Sequence, residues 1–433
     1  MCDEESNFPT LSNKKTGGSL LNKTITVILG LLAFTAGFAQ MIDNDEIIIR
    51  RIADNVLAQT TFSYDAAGSE DHYNSIEDIP DGVEVRFHDH YTEWGYLMGV
   101  MNIAMIHLGA QLGDEKYANY PVRHVANGFN SYPYFQERFK NDRPHYHWPY
   151  GQFWTMGSLD DCGAMAASVI EVYQIEKKKE YRNYIDKTAA FITKKQDRLT
   201  DGTLCRKTPH EMTVWADDMY MSVPFLARMG HLTGDVKYFD DALTQVFNFS
   251  KYLWDPKTEL FFHCYYDDLK RNGAAHWGRC NGWIIMSQCH LLELLPEDHP
   301  KREALRRNLE RQILGLAKYQ TAEGLWRQLI DKSDSYTESS ASAMFVYGIA
   351  KAVNEGWIDQ RYASIALQGW EGLKEYKMTT DGELKDICAG TNIDESITYY
   401  YNRPARTNET HGLGAVIEAG VEILKLKKVM VRE

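Results

Sequence analysis

The chain alternates between two kinds of helix-like segment from about residue 45 to its end. One kind is apolar on nearly every side, as in YLMGVMNIAMIHLGAQL, CGAMAASVIEVYQI and GWIIMSQCHLLELL. The other begins with a charged or turn-forming residue and is amphipathic, as in KKKEYRNYIDKTAAFI and GDVKYFDDALTQVF. A helix that is apolar all round must be buried, whereas an amphipathic helix keeps one face in water. The pattern therefore predicts inner helices that are each followed by an outer helix.

The outer segments recur at a regular spacing. Their anchor residues lie 64, 57, 64 and 60 residues apart: Tyr117, Tyr181, Tyr238, Arg302 and Tyr362. EIIIRRIADNVLAQ, near residue 46, adds an outer helix, and GLGAVIEAGVEILKL, from Gly412, adds an inner one, which makes six of each. Because the first outer helix and the last inner helix each lack a neighbour in sequence, the two chain ends can complete each other. The predicted fold is all-α, a closed (α/α)6 barrel or six-hairpin toroid, with an open helical solenoid as the alternative.

The composition is that of a soluble globular protein, with 44% hydrophobic and 25% charged residues. A formal net charge of −13 argues against sequence-independent binding of nucleic acid, which requires a basic surface. No linker rich in Pro, Gly or Ser follows residue 40, so residues 40–433 are predicted to form one catalytic domain.

The N-terminal segment resembles a secretory signal. Lysines precede the apolar run Ile25–Ala39, and small residues at its end indicate cleavage before Gln40. The run is shorter than the roughly 20 apolar residues that span a bilayer, although a membrane anchor is the alternative. We expect residues 1–39 to be a signal peptide with an N-terminal extension, and the mature protein to be periplasmic or secreted, without stable membrane insertion.

Two pairs of adjacent aspartates precede successive inner helices. Asp217 and Asp218 lie in VWADDMYMSVPF, and Asp160 and Asp161 lie in SLDDCGAM. An aspartate at a helix start is commonly a cap, but of two neighbours one can cap the helix while the other faces the cavity. The surrounding loops are rich in aromatic residues. Paired carboxylates in an aromatic cleft are typical of general acid and base catalysis on glycosides.

Other residues in these loops suggest contacts with substrate. Arg279, in HWGRCNGW, lies between Trp277 and Trp283, where it either binds a carboxylate between two indoles or packs at a helix start. The loop histidines lack the spacing of metal ligands and are expected to bond sugar hydroxyls: His145, His147, His210, His263, His276 and His411. Of the seven cysteines, Cys2 would leave with the signal and the other six are scattered without CxxC spacing, so no disulfide framework is indicated. We predict no metal and no cofactor in the catalytic site.

VWADDMYMSVPF, SLDDCGAM and HWGRCNGW, together with the six-fold repeat, resemble glycoside hydrolase family 105, the unsaturated rhamnogalacturonyl hydrolases. They resemble more distantly the unsaturated glucuronyl hydrolases of family 88. The resemblance implies an exo-acting hydrolase on lyase-generated oligosaccharides. Such an enzyme removes a 4,5-unsaturated uronic acid from the non-reducing end by hydrating its double bond. Rhamnogalacturonan and ulvan both yield uronyl-rhamnose ends of this kind.

The resemblance also assigns roles to residues of this chain. It implies Asp217 as the proton donor and Asp161 as its partner, and we expect burial and a nearby carboxylate to raise the pKa of Asp217. The implied substrate-binding residues are Trp215, His210, His263, Trp277, Arg279 and Trp283. Fold alone proves no reaction. A sugar epimerase with a histidine pair in the cavity, and a non-catalytic oligosaccharide-binding protein, are the alternatives.

Overall fold

The computed structural model describes residues 44–140 and 148–432, and this part of the chain is mostly helical. The inner helices are α2 (Tyr96–Leu112), α5 (Gly163–Ile175), α7 (Val223–Thr233), α9 (Gly278–Leu294), α11 (Ser339–Asn354) and α14 (Thr410–Arg432). The outer helices are α1 (44–59), α3 (Glu115–Arg138), α6 (Lys179–Lys194), α8 (Val236–Leu253), α10 (Arg302–Ala317) and α12 (Ala363–Gly372). Two short helices, α4 (Gly151–Thr155) and α13 (Ile397–Tyr401), lie in connections.

The inner helices form a closed ring. Each contacts the next in chain order, and α14 contacts α2. The chain ends complete each other as predicted, because Ile49 of α1 packs against Gly420 of α14. The fully buried carboxylate of Asp45 accepts bonds from Lys427 at 2.6 Å and from Trp370 at 2.9 Å, which ties α1 to α14 and α12. This geometry excludes the open solenoid.

Short antiparallel strands occupy the connections, where the sequence indicated only loops. One sheet has the order β2-β1-β3, formed by β1 (Tyr64–Ala66), β2 (His72–Tyr73) and β3 (Val85–Phe87). A second has the order β4-β7-β8, formed by β4 (Thr213–Trp215), β7 (Cys264–Tyr266) and β8 (Arg271–Asn272). Two-stranded ribbons pair β5 (Trp254–Asp255) with β6 (Leu260–Phe261), and β9 (Ile387–Cys388) with β10 (Ala405–Arg406). These strands fix the segments that precede α7, α9 and α14.

Gly163 brings the two aspartate pairs together. A Cβ atom at this position would lie 1.6 Å from the carbonyl oxygen of Met221, so only glycine allows the start of α5 to approach the turn before α7. Asp160 and Asp161 precede Gly163, while Asp217 and Asp218 lie in the 3-10 turn Ala216–Met219. The aspartates therefore lie in turns that lead into the inner helices.

Several predictions fall outside the described residues, namely the signal peptide at 1–39 and the loop residues His145 and His147. Within the described ranges, none of the helices combines the length and apolar character needed to cross a bilayer. The six cysteines of this part are buried and free: Cys162, Cys205, Cys264, Cys280, Cys289 and Cys388.

Candidate active site

A cavity of about 410 Å³ opens at the end of the barrel where the aspartate turns meet the segment before α14. Its volume falls within the range of small-molecule pockets, about 300–1,000 Å³. The lining combines two carboxylates, two guanidinium groups and aromatic rings with a polar loop: Tyr96, Asp160, Arg206, Trp215, Asp217, Met221, Gly390, Thr391, Asn392, Tyr399 and Arg403. Charged groups beside aromatic rings suit a sugar that carries a charge.

Asp217 presents its carboxylate to this cavity, and a histidine that does not line the cavity bonds one of its oxygens. His263, which is fully buried, lies with Nε2 3.0 Å from Oδ2 of Asp217 and with Nδ1 2.8 Å from the hydroxyl of Tyr400. The Tyr400 oxygen also accepts a bond from the backbone N–H of Asp394. Because an ionised carboxylate can only accept hydrogen bonds, His263 donates the 3.0 Å bond from Nε2 to Asp217.

The charges around Asp217 keep it ionised in the free enzyme. Burial alone would raise its pKa, but the electrostatic attraction and the hydrogen bond of His263, followed by the positive charges of Arg206 and Arg279, outweigh burial, so the pKa is lowered. This corrects the expectation of a raised pKa. The raised value belongs to Asp218, where burial, together with the charges of Asp160 and Asp217, brings the pKa to about 6 against the effect of Arg206.

Arg206 joins the two aspartate pairs. Its Nη1 and Nη2 donate to both carboxylate oxygens of Asp160, at 2.8 and 3.0 Å, and its Nε and Nη2 donate to Asp218, at 2.6 to 3.0 Å. The guanidinium also lies 4.3 Å from the ring centre of Trp215. One arginine thus compensates two carboxylates and fixes the ring that lines the cavity.

Asp160, and not the expected Asp161, faces the cavity. Asp161 is 1% exposed, and its Oδ2 accepts the backbone N–H groups of Gly157 and Ser158, at 2.6 and 2.9 Å. It therefore fixes the turn before α5. The sequence pattern correctly indicated that one aspartate of each pair has a local role and the other faces the cavity, but in the first pair the two roles are exchanged.

Arg279 and its two tryptophans lie behind the cavity wall. The guanidinium is 1% exposed, lies 4.5 Å from the ring centre of Trp277, and donates to the backbone carbonyls of Cys388 and Ala389. Trp283 is also buried, beneath Tyr96. In this structure Arg279 therefore holds the loop that lines the cavity, and this placement corrects the expectation that its guanidinium and the two indoles form the wall.

The other predicted histidines do not lie together at one site. His210 pairs with Asp268 at 2.9 Å and packs edge-on against Tyr266, away from the cavity lining. His276 lies between Asp255 and Asp331, 3.3 Å from each, with its ring packed against Phe262, and it does not line the cavity. Of the predicted histidines that the structure describes, His263 and His411 are the two that bond residues of the lining, namely Asp217 and Tyr96.

His411 supports Tyr96, a cavity residue that the sequence analysis did not identify. The Tyr96 hydroxyl lies 2.7 Å from Nε2 of His411, whose Nδ1 lies 2.9 Å from Glu409. Burial and the charge of Arg279 lower the pKa of His411 to about 4, and the bond with His411 lowers the pKa of Glu409 to about 2. A neutral His411 that donates to Glu409 then accepts the Tyr96 proton, which leaves the Tyr96 oxygen as an acceptor toward the cavity.

Arg403 and a second cavity extend the site. Arg403 donates to Thr391 and to the carbonyl of Gly390, stacks on Tyr399, and has no carboxylate within ion-pair distance in the described ranges. Tyr96 also lines a neighbouring cavity of about 410 Å³. That cavity is rich in aromatic rings, with polar side chains among them: Phe87, Trp94, Trp148, Tyr150, Arg86, His90, Glu93 and Gln152.

The sequence analysis did not identify three charged or polar groups of the lining, although they lie in the same loops as the predicted residues His210 and His411. Arg206 lies in RKTPHEMTVWADD, and Tyr399 and Arg403 lie in AGTNIDESITYYYNRPARTNETHGLG. A signal for Arg206 was available, because two aspartate pairs brought to one place need a buried cation between them. No comparable signal distinguished Arg403 from its neighbours.

Comparison with known proteins gives consistent matches. A 218-residue region is 31% identical to the unsaturated rhamnogalacturonyl hydrolase YesR of Bacillus subtilis, and covers 49% of this chain and 60% of YesR. A 219-residue region is 29% identical to an unsaturated 3S-rhamnoglycuronyl hydrolase of Alteromonas sp., and covers 48% of this chain and 51% of that protein. The alignments thus span between about half and 60% of these relatives.

Solved structures support the same assignment. A protein of Salmonella enterica serovar Paratyphi A, described as a possible member of family 105, superposes with a TM-score of 0.71 at 25% identity, over 88% of this chain and 94% of that one. The unsaturated glucuronyl hydrolase of Bacillus sp. GL1 shares the fold, with a TM-score of 0.59 at 17% identity, over 89% and 96%. The resemblance to families 105 and 88 is confirmed. Because residues 71–427 match the family model over most of the chain, the protein belongs to Glycosyl Hydrolase Family 88.

Proposed function

We propose that the protein is an exo-acting hydrolase that removes a 4,5-unsaturated uronic acid from the non-reducing end of oligosaccharides made by polysaccharide lyases. The observation that carries the proposal is the convergence of Asp217, Asp160 and Arg403 on one cavity. The names of the relatives from B. subtilis and Alteromonas support a uronyl-rhamnose linkage, of the rhamnogalacturonan or ulvan type. The protein would act after export.

The cavity supplies the contacts that an unsaturated uronate requires. Arg403 is the cation of the lining that lacks a carboxylate partner in the described part of the chain, so it is available for the substrate carboxylate. Trp215 offers a ring face, held in place by the stacked guanidinium of Arg206 and by a 2.9 Å bond from its Nε1 to Thr213. The Tyr96 oxygen accepts a sugar hydroxyl.

Substrate binding prepares Asp217 to act as an acid. The bound uronate brings a negative charge beside Asp217 and displaces water from it, and both effects raise the pKa of a carboxyl group. Asp217 then takes up a proton that it does not hold in the free enzyme. His263 and Tyr400 do not line the cavity and are positioning residues, because they fix the direction of the Asp217 carboxylate.

The reaction balances with one water and no other reactant. Protonated Asp217 gives its proton to C4 of the enol ether, and water adds to C5 while its second proton returns to the Asp217 carboxylate. The C5 hemiketal opens to a ketone, which frees the ring oxygen as a hydroxyl on C1. The C1 hemiacetal then collapses to an aldehyde and releases the neighbouring sugar. Asp160, ion-paired with Arg206, lies on the same cavity and can bond the reacting water.

The second cavity is the place we propose for the released sugar chain. It shares Tyr96 with the first cavity, and its tryptophan and tyrosine rings suit stacking on sugar faces. Two observations favour hydrolysis over the alternatives. Among the residues that the structure describes, the first cavity has no histidine in its lining, whereas an epimerase would need a pair there. A binding protein would not require both Asp160 and Asp217 at the cavity.

The decisive experiment follows loss of the ultraviolet absorbance of the conjugated uronate. The panel contains unsaturated uronyl-rhamnose oligosaccharides with and without a 3-sulfate, and unsaturated glycosaminoglycan disaccharides. We expect loss of absorbance and release of a reducing sugar on the rhamnose-linked substrates. An epimerase would interconvert sugars without this loss, and a binding protein would bind without turnover. Either result, or turnover of the glycosaminoglycan disaccharides alone, would contradict the proposal.

The pH dependence should change in a defined direction when His263 is replaced. A proton-donating Asp217 makes kcat/KM fall as pH rises, because kcat/KM reports the pKa of the free enzyme. His263 lowers that pKa. The variant His263→Gln should therefore raise the pKa of Asp217 and move the alkaline decline of kcat/KM to higher pH, while kcat falls through poorer positioning. A decline that stays in place or moves to lower pH would rule out this role of His263.

A matched pair of variants distinguishes the proposed role of Arg403 in binding the substrate carboxylate from the structural role of Arg279. We expect Arg403→Ala to lower kcat/KM by about 10- to 100-fold, the value of one charge-assisted hydrogen bond, on acidic substrates but not on analogues with an esterified carboxylate. Arg279→Ala should instead lower the melting temperature and affect both substrates alike, because its guanidinium holds the carbonyls of Cys388 and Ala389. The opposite result would return the carboxylate contact to Arg279.

A further inference from the structure

The three-stranded sheet β2-β1-β3 places three side chains with metal-binding atoms on one of its faces. Asp65 of β1 lies directly opposite His72 of β2 and opposite Arg86 of β3. His88 follows the end of β3, two residues after Arg86. Because successive strand residues point to opposite faces, Asp65, His72 and His88 share a face by register.

The side chains converge within this face. Nδ1 of His72 lies 3.0 Å and Nδ1 of His88 lies 2.8 Å from the same oxygen, Oδ1 of Asp65. The two imidazole rings are 4.7 Å apart at their centres, and the three ligand atoms lie within 4.8 Å of one another. The histidine side chains are 40% and 45% exposed, so an ion can reach them from solvent. None of the three residues lines either cavity.

We propose that Asp65, His72 and His88 form a binding site for a borderline divalent transition-metal ion, with Zn²⁺ as the reference. Two imidazole nitrogens and one carboxylate are a common ligand set for such ions, and water completes the coordination. Bond lengths near 2.0 Å in a tetrahedron place ligand atoms about 3.3 Å apart, so the two distances from Nδ1 to Oδ1 of Asp65 need to lengthen by only a few tenths of an ångström. Each neutral imidazole binds through Nδ1 after its proton moves to Nε2.

The site would stabilise one wall of the substrate-binding region. Its three ligands come from β1, from β2 and from the residue after β3, so a bound ion cross-links all three strands of the sheet. Arg86 and Phe87 of β3 line the second cavity. The ion lies outside the reaction itself, so this proposal is independent of the proposed function and agrees with the expectation that catalysis uses no metal. An ion that binds the folded chain raises its melting temperature.

The test is titration of the metal-free, untagged protein with Zn²⁺ in a calorimeter, alongside melting curves with and without Zn²⁺. We expect one equivalent of saturable binding and a higher melting temperature. His72→Ala and His88→Ala should each weaken binding by about 100-fold or more, since loss of only an outer partner of a metal ligand already costs 10- to 100-fold. Asp65→Asn keeps the shape of the side chain and should also weaken binding. Co²⁺ should give a visible spectrum that is lost in the same variants.

His90→Ala is the matched control for the metal-binding readout. His90 is a nearby exposed histidine whose Nδ1 lies 2.7 Å from a single carboxylate, that of Glu93. Its replacement should leave Zn²⁺ affinity unchanged. The proposal is overturned if the wild-type protein shows no saturable binding, or if all three ligand variants bind Zn²⁺ as the wild type does. It is also overturned if His90→Ala removes binding to the same extent as His72→Ala.

Discussion

Replacing Asp217 with Asn should remove nearly all turnover while the protein stays folded. The amide keeps an oxygen that accepts the 3.0 Å bond from His263, but it cannot give a proton to C4 or take one from water. Loss of a general acid or base typically costs about 10²- to 10⁴-fold in rate. The measurement is the rate of absorbance loss at saturating substrate, together with a melting curve that checks the fold.

The neighbouring aspartates provide the controls for this prediction. Asp160→Asn should lower turnover because Asp160 lines the cavity, whereas Asp161→Asn should mainly lower stability because Asp161 holds the backbone N–H groups of Gly157 and Ser158. An active Asp217→Asn variant beside an inactive Asp218→Asn variant would show that the catalytic assignment within the pair is wrong. An inactive but fully stable Asp161→Asn variant would restore Asp161 as the partner.

The fold could be predicted because a single periodic pattern determined it. Apolar and amphipathic segments at intervals near 60 residues gave both the number of helices and their two layers. The short strands were missed, because two- or three-residue pairings such as Thr213 to Trp215 with Cys264 to Tyr266 leave no period in sequence. Their register depends on the barrel that surrounds them.

The sequence predicted which loops form the site, but it predicted less well which side chains of those loops face the cavity. Adjacent aspartates differ in direction, but their contacts decide which one reaches the cavity: Asp161 accepts the backbone N–H groups of its own turn, whereas Asp160 pairs with Arg206 from a distant segment. The pKa of Asp217 could not be predicted either. Its sign depends on the distances of His263, Arg206 and Arg279, which come from three different segments.

The second large effect is expected at Arg206, where Arg206→Met should destabilise the protein and abolish turnover. The variant leaves Asp218, which is fully buried, beside Asp160 with no cation between them. Breaking a buried ion pair by removing one partner typically costs about 3–5 kcal/mol. Turnover should also be lost, because the guanidinium holds the Trp215 ring in the cavity. Urea unfolding and the absorbance assay measure the two effects.

Two further variants identify the uncompensated charge as the cause. Arg206→Met combined with Asp218→Asn should recover much of the lost stability without recovering turnover. Arg206→Lys should recover little, because one ammonium cannot bond two carboxylates as the guanidinium fork does.

The loss of stability should also depend on pH, because burial raises the pKa of Asp218 to about 6 even beside Arg206. Without Arg206 this pKa rises further, so between its new value and about 6 the folded variant holds a proton that the wild type has not yet bound. The loss of stability relative to the wild type should therefore shrink as pH falls toward about 6 and level off below it. A loss that is independent of pH, or that persists in the double variant, would instead indicate that Arg206 stabilises the fold through packing on Trp215.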